Sequence, residues 1–257
     1  MCKAIKNGDL DEVKRLLEDG VDPNCVSPDW NKSRPIILAA VGGQTSMMKL
    51  LLEQSSLDPN VCDELFGNTA LIDASHAGNT DVVRLLLDDH RVDVNLRSKG
   101  SGRTALMQAA RYGNANIVRM LVEKNPDGVN LKSNGGRTPL MFGCLAPNKA
   151  VLNDPQMFRD MLKVKGIDLS IQDNQGKTAL DWARDKELFS VEKLMLKITD
   201  KSKCLEEDRI ENLESLVKEL QVKLFKAEFI NKDLQENIVE LNEKIKDQEF
   251  TIKSLSN

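Results

Sequence analysis

Hydrophobic positions along the chain follow two rhythms that meet near residue 198. Before it, short clusters alternate: a small-residue run such as TALIDAS or TALMQAA, a glycine, then DVVRLLL or NIVRMLV with apolar positions three and four apart. The first kind of cluster predicts a short helix packed closely on its neighbours, and the second an amphipathic helix with one buried stripe. After residue 198 the clusters give way to single apolar positions in unbroken steps of three and four: Ile210, Leu213, Val217, Leu220, Leu224, Ala227, Asn231, Leu234, Ile238, Leu241, Ile245, Gln248, Ile252 and Leu255. That period predicts one long helix with a heptad seam.

The clusters repeat in phase. With Thr69 as anchor, Thr104, Thr138 and Thr178 open the same phrase further along, and Arg34 holds the position upstream. Gly43, Gly78 and Gly113 follow nine residues after their anchors. The pairs Leu50–Leu51, Leu85–Leu86, Met120–Leu121 and Leu194–Met195 fall at the second helix in each case. In the last copy Glu187 stands in the glycine's place, and a first, partial copy reads AIKNGDLDEVKRLLEDGVDPN. Threonine at a helix start can accept hydrogen bonds from free N–H groups of the first turn. Proline at the first helical position, as at Pro35 and Pro139, forfeits no bond. A lone pair of helices this short cannot bury its apolar faces, so the six copies must stack.

These phrases resemble the ankyrin repeat family: TALI (69–72), TALM (104–107), TPLM (138–141) and TALD (178–181) match its helix start, and VDPN (21–24), LDPN (57–60) and VDVN (92–95) its hairpin lead. The resemblance covers residues 1–198 and implies an all-α solenoid of helix-turn-helix units joined by β-hairpin turns, with units at 1–24, 25–60, 61–95, 96–130, 131–170 and 171–198. Two departures stand out. Met161–Leu162 arrives seven residues late after Thr138, which predicts a longer loop between the helices of unit five, around Pro147–Pro155. Unit six carries Asp181, Trp182, Lys186 and Glu187, a polarity suited to a terminal cap. The resemblance also implies a protein-binding concave groove. The matching inner-helix positions are Leu38, Val41, Asp73, His76, Gln108, Arg111, Tyr112 and Phe142; the matching tips offer Trp30, Phe66, Arg97, Lys99, Arg103, Lys132 and Arg137. Tips four and five are basic and tip three carries Asp63 and Glu64, so an acidic or mixed-charge peptide suits the groove.

The heptads from 210 to 257, joined through a linker at 199–209, predict a coiled coil about 70 Å long at ~1.5 Å per residue. Branched residues at a with leucine at d favour a parallel two-stranded coil, and a single a-position amide, Asn231, fixes register and dimer state. In a parallel homodimer the g–e pairs Arg209–Glu214, Lys223–Glu228 and Lys244–Glu249 are all attractive.

Charge sharpens this division. The formal net charge of −4 lies entirely in residues 200–257, leaving the repeats neutral and without the excess of positive charge that nucleic acid needs. Five scattered cysteines with no CxxC pair predict reduced thiols in an intracellular setting. No apolar run is long enough for a membrane helix. GKT at 176–178 lacks the earlier glycine of a phosphate loop, since position 171 is Ile, and His76 and His90 have no ligand-spaced neighbours for a metal. No catalytic motif and no cofactor is expected. The sequence therefore reads as a non-enzymatic adaptor that binds a protein through its repeats and dimerises through its coil. The rival is a cytoskeletal or structural component in which the coil joins other coiled-coil proteins. The setting is intracellular and cytoplasmic, with nucleus or cytoskeleton also open. A first unit without its opening residues and heptads reaching the last residue are compatible with a piece of a longer protein.

Overall fold

The computed structural model describes residues 1–28, 32–146 and 155–199, together with Val217 and Gln221. Contacts divide the chain into two compact units, Met1–Thr199 and Asp200–Asn257. Of the second, Val217 and Gln221 are helical, and Val217 is half exposed. The other heptad positions, Asn231 among them, lie outside the described residues.

The first unit is a stack of helix pairs: α1 (Cys2–Lys6) with α2 (Leu10–Glu18), α3 (Pro35–Val41) with α4 (Thr45–Leu52), α5 (Ala70–Ala77) with α6 (Thr80–Asp88), α7 (Ala105–Tyr112) with α8 (Ala115–Lys124), and α9 (Pro139–Cys144) with α10 (Gln156–Leu162). A sixth inner helix, α11 (Ala179–Asp185), is followed by helical residues 189–199. Each inner helix packs on the inner helix of the next unit, and the outer helices form a second row behind them. Ile36, Met48, Leu51, Ile72, Leu86, Met107, Ile117, Leu121, Met141 and Phe158 are fully buried between the rows. At about 1.5–3 kcal/mol for each such side chain, burial between units holds helices of five to ten residues that would melt alone. No helix among the described residues is long and apolar enough to cross a membrane.

Helix starts and stops follow the repeated phrase. The hydroxyls of Thr69, Thr104 and Thr178 accept from the N–H groups of Ile72, Met107 and Asp181, and the Asp181 carboxylate in turn accepts from Thr178 N–H. Thr138 makes no such cap. Arg34 acts differently: its guanidinium donates to the carbonyls of Asn24 and Cys62, tying its own hairpin to the next. Gly78 and Gly113 end α5 and α7 in the left-handed region, at φ 80° and 74°. Glu187 keeps that turn without a glycine, at φ 56°, a conformation that costs an L-residue roughly 1–2 kcal/mol.

The hairpin turns differ from expectation. Among the described residues there is no strand, only the single antiparallel bridge Cys62–Thr69. Each tip is too short for a ladder and closes with a tight backbone pair, as from Ser98 N–H to Arg103 O (2.9 Å) with Gly102 N–H to Ser98 O (2.8 Å), and from Asp173 N–H to Lys177 O (2.9 Å) with Gly176 N–H to Asp173 O (3.0 Å). Neighbouring tips then bond to one another: Lys99 N–H to Gly67 O, Asn134 N–H to Ser101 O, Asn174 N–H to Gly135 O. Side-chain amides repeat the linkage elsewhere. Asn24, Asn60 and Asn130 each donate to a carbonyl of the following unit, at Ser56, Arg91 and Gly166, and accept from the N–H groups of Asp58, Asp93 and Asp168. Gln44, Asn79 and Asn114 reach back to Ile5 O, Ala40 O and Ser75 O. The late second helix of unit five is accounted for by residues 145–155, which separate α9 from α10; of these, 147–154 lie outside the described residues.

Candidate functional site

The inner helices and tips form one face, and the residues expected on it divide by burial. Val41, Phe66 and Tyr112 are exposed, at 54%, 61% and 41%, enough to offer apolar surface to a partner. His76, Arg97, Lys99 and Lys132 are also exposed, whereas Leu38, Asp73, Arg103, Arg111 and Arg137 are half-buried. Gln108 and Phe142 are buried and serve as floor instead of exposed contact. Trp30 lies outside the described residues.

Contacts join several of these groups across unit boundaries. The His76 ring at the end of α5 packs on Tyr112 at the end of α7, centroids 4.1 Å apart. Arg111 donates to the carbonyl of Leu145, which closes α9. The Arg103 guanidinium lies 5.0 Å above the Phe142 ring. One unit on, Arg137 lies 4.8 Å above Trp182 and pairs with Asp173 at 3.3 Å, while Asp173 also accepts the Trp182 indole N–H at 3.0 Å. Lys177, ion-paired to Asp185, approaches the same ring at 4.9 Å. Trp182 is thus a buried member of the inner-helix row. Its sequence signal was its offset from Thr178, the same four residues that separate Phe142 from Thr138.

Polar groups on this face are incompletely satisfied. Gln108 Oε1 and Ser75 Oγ are buried without a hydrogen-bond partner. Burial pushes the Asp73 carboxyl up to about 6, aided by the negative charge of Asp63 and opposed by the Asn68 amide, which donates to it at 2.8 Å. Burial likewise pushes the Cys144 thiol up to about 12 and Cys2 to about 11, so neither is a nucleophile at neutral pH. Cys2, Cys25, Cys62 and Cys144 are free thiols. Among the described residues no three His, Cys, Asp or Glu side chains are grouped to hold a metal. The outer face carries a cavity of about 500 Å³ lined by Arg119, Val122, Glu123, Gln156, Asp160 and Lys163. Its Arg119–Asp160 pair at 3.5 Å already spends much of that charge internally.

Comparison with known proteins agrees with this architecture. A family description for ankyrin repeats in three copies matches residues 1–98 and 90–153. The ankyrin repeat-containing protein YIL001W of Saccharomyces cerevisiae is 36% identical over 63 residues, 24% of this chain and 11% of that protein, so the match spans a small part of the relative's length. Among solved structures, an ankyrin repeat domain from Acinetobacter baumannii superposes with a TM-score of 0.67 at 24% identity, covering 77% of this chain and 96% of its own. The ankyrin repeat protein EF0377 superposes with a TM-score of 0.64 at 23% identity, covering 76% and 94%. Family match, stacked helix pairs and interlocked tips together place this chain in the ankyrin repeat family, whose members generally serve as protein–protein interaction modules.

Proposed function

We propose that this chain is a non-enzymatic adaptor that grips a protein partner on its inner-helix face and is made bivalent by parallel pairing of residues 210–257. The observation that carries the reading is the exposed His76–Tyr112 ring pair, which bridges units three and four, with Val41 and Phe66 adding exposed apolar side chains in units two and three. Tyrosine supplies a large contact area at little entropic cost, which makes it a common anchor of interfaces. Arg111 is a poor probe of that face, since its bond to Leu145 O gives it a structural duty. His76→Ala combined with Tyr112→Ala removes exposed rings only. This variant of the full chain is expected to reduce capture of partners by at least ~10-fold while leaving the urea midpoint nearly unchanged. Equal recovery by wild type and variant in quantitative affinity capture would remove the ring pair from the interface.

Pairing through the heptads would raise affinity for clustered targets by ~10²–10⁴ without new contacts. Sedimentation equilibrium at tens of micromolar is expected to give a dimer, and Asn231→Ile a mixture with higher oligomers as the amide constraint is lost. A wild-type monomer in that measurement ends the bivalent part of the reading.

A further inference from the structure

Arg103 and Arg137 hold the same register, each immediately before the threonine that opens an inner helix, and each guanidinium lies over an aromatic ring of the next unit. Their electrostatic circumstances differ. Arg137 is neutralised by the buried carboxylate of Asp173, at the base of the following tip. The corresponding base of the tip that follows Arg103 is Ser133, whose hydroxyl is occupied by Arg137 N–H. Arg103 therefore presents a half-buried, ring-oriented guanidinium with no carboxylate among the described residues. Its neighbours repeat the imbalance. Arg97 bonds to Gly102 O and Asn134 Oδ1, Lys132 to Gln172 O, and Arg111 to Leu145 O, all neutral acceptors. Arg103 before α7 and Arg111 near its end bracket the face that holds Gln108, about 12 Å apart at ~1.5 Å per residue.

We propose that the inner-helix face of units four and five receives a carboxylate-rich segment of a partner protein, with the Arg103 guanidinium reading one of its carboxylates. The inference rests on the adaptor reading and adds the chemistry of the partner. A guanidinium resting over a ring has less freedom to lose, so a carboxylate can bond to two N–H groups of its fork at reduced ordering cost. The His76–Tyr112 pair lies beyond Arg111, so the same segment would carry an apolar or aromatic side chain next to its acids. Asp73 in unit three, itself acidic, limits the acidic run on that side.

The test uses the full chain and a fluorescein-labelled peptide in which glutamate alternates with leucine and tyrosine, read by anisotropy. Binding is expected, weakening as salt is raised because charge pairs on an open face are screened. Arg103→Gln should raise the Kd by at least ~10-fold and Arg103→Lys by less, since a lysine keeps the charge and loses the fork. Arg15→Gln should change the Kd by less than ~2-fold, because that exposed arginine lies on the outer helix α2, away from the inner-helix face. Thermal melts of each variant establish that it folds, and the lysine variant carries the comparison if Arg103→Gln does not. The proposal is overturned if wild type does not bind the peptide, if Arg103→Gln binds as tightly as wild type, if a glutamine-for-glutamate peptide binds equally, or if oligouridylate of the same charge does. Partner capture that depends on His76 and Tyr112 but ignores Arg103→Gln also overturns it, and leaves the adaptor reading standing.

Discussion

Replacing Arg91 with alanine is expected to destabilise the repeat stack by about 2–4 kcal/mol, because it breaks a partly buried charge pair and strands several backbone acceptors together. The Arg91 guanidinium donates to both oxygens of Asp89, the shortest bond being 2.6 Å, and to the carbonyls of Leu52 (2.7 Å), Gln54 (3.1 Å) and Leu57 (3.2 Å). Leu52 ends α4, one unit earlier, and Gln54 and Leu57 lie in the turn after it, so the cation also meets the negative end of that helix. Without Arg91 the Asp89 carboxylate, whose side chain is 11% exposed, stays charged without its partner. Arg91 is what holds that carboxyl below the usual carboxylate range. Arg15 gives the contrast: it makes two ion pairs, with Glu12 and Asp19, but all three side chains face solvent, and Arg15→Ala should barely move the urea midpoint. Asp89→Ala combined with Arg91→Ala should cost less than the sum of the single changes. In a stack held only by neighbours, weakening one boundary should also lower cooperativity, so the Arg91→Ala transition broadens with a reduced m-value. A midpoint shift no larger than that of Arg15→Ala would show that the network contributes little.

Arg91 also marks where sequence reasoning stops. The helix starts were legible because Thr69, Thr104, Thr138 and Thr178 recur with glycine and leucine at fixed offsets, and α5, α7, α9 and α11 each begin one residue after them. Local chemistry sets those starts, and local chemistry is visible in a sequence. Arg91 bonds to carbonyls 34 to 39 residues away, and a backbone carbonyl carries no sequence identity, so nothing announces the partnership. The same limit shaped the candidate face. Val41, His76, Gln108 and Phe142 all sit at facing positions of their helices, yet burial depends on what the next unit lays above them. Arg103 lies over Phe142, whereas Val41 is left open. Trp182 shows the converse: it stands in sequence among the charged residues of the last unit, of which Lys186 and Glu187 are exposed, yet its ring is buried, with Asp173 accepting its indole N–H and Arg137 above it. The heptads are legible only as periodicity, and apart from Val217 and Gln221 the residues that carry them lie outside the described residues.

Asp73→Asn is expected to stabilise the chain by about 1–3 kcal/mol at pH 7.5 and by almost nothing near pH 4. The Asp73 carboxyl is pushed up to about 6 by burial on the inner-helix face, above the ~3.8 it has when unfolded. The folded chain therefore binds its proton more tightly than the unfolded chain does. That contribution to stability is complete below about pH 4 and is lost as pH rises through 6, so at neutral pH the fold carries a charge it would shed. Asparagine has the shape of the neutral acid, and its Oδ1 can still accept from Asn68. Asp89, Asp168, Asp173 and Asp181 are all held below their ordinary range by hydrogen bonds to the charged form, and their contributions run the other way, fading as pH falls. The wild-type profile mixes both, so the measurement is the difference between Asp73→Asn and wild type in urea unfolding at pH 4, 5, 6 and 7.5. A difference independent of pH, or a loss of stability at pH 7.5, would mean that Asp73 is satisfied as a carboxylate. If the gain does appear, evolution has left a destabilising charge on the face proposed to bind, one unit from Arg103, where repulsion of an acidic segment would help fix how that segment lies.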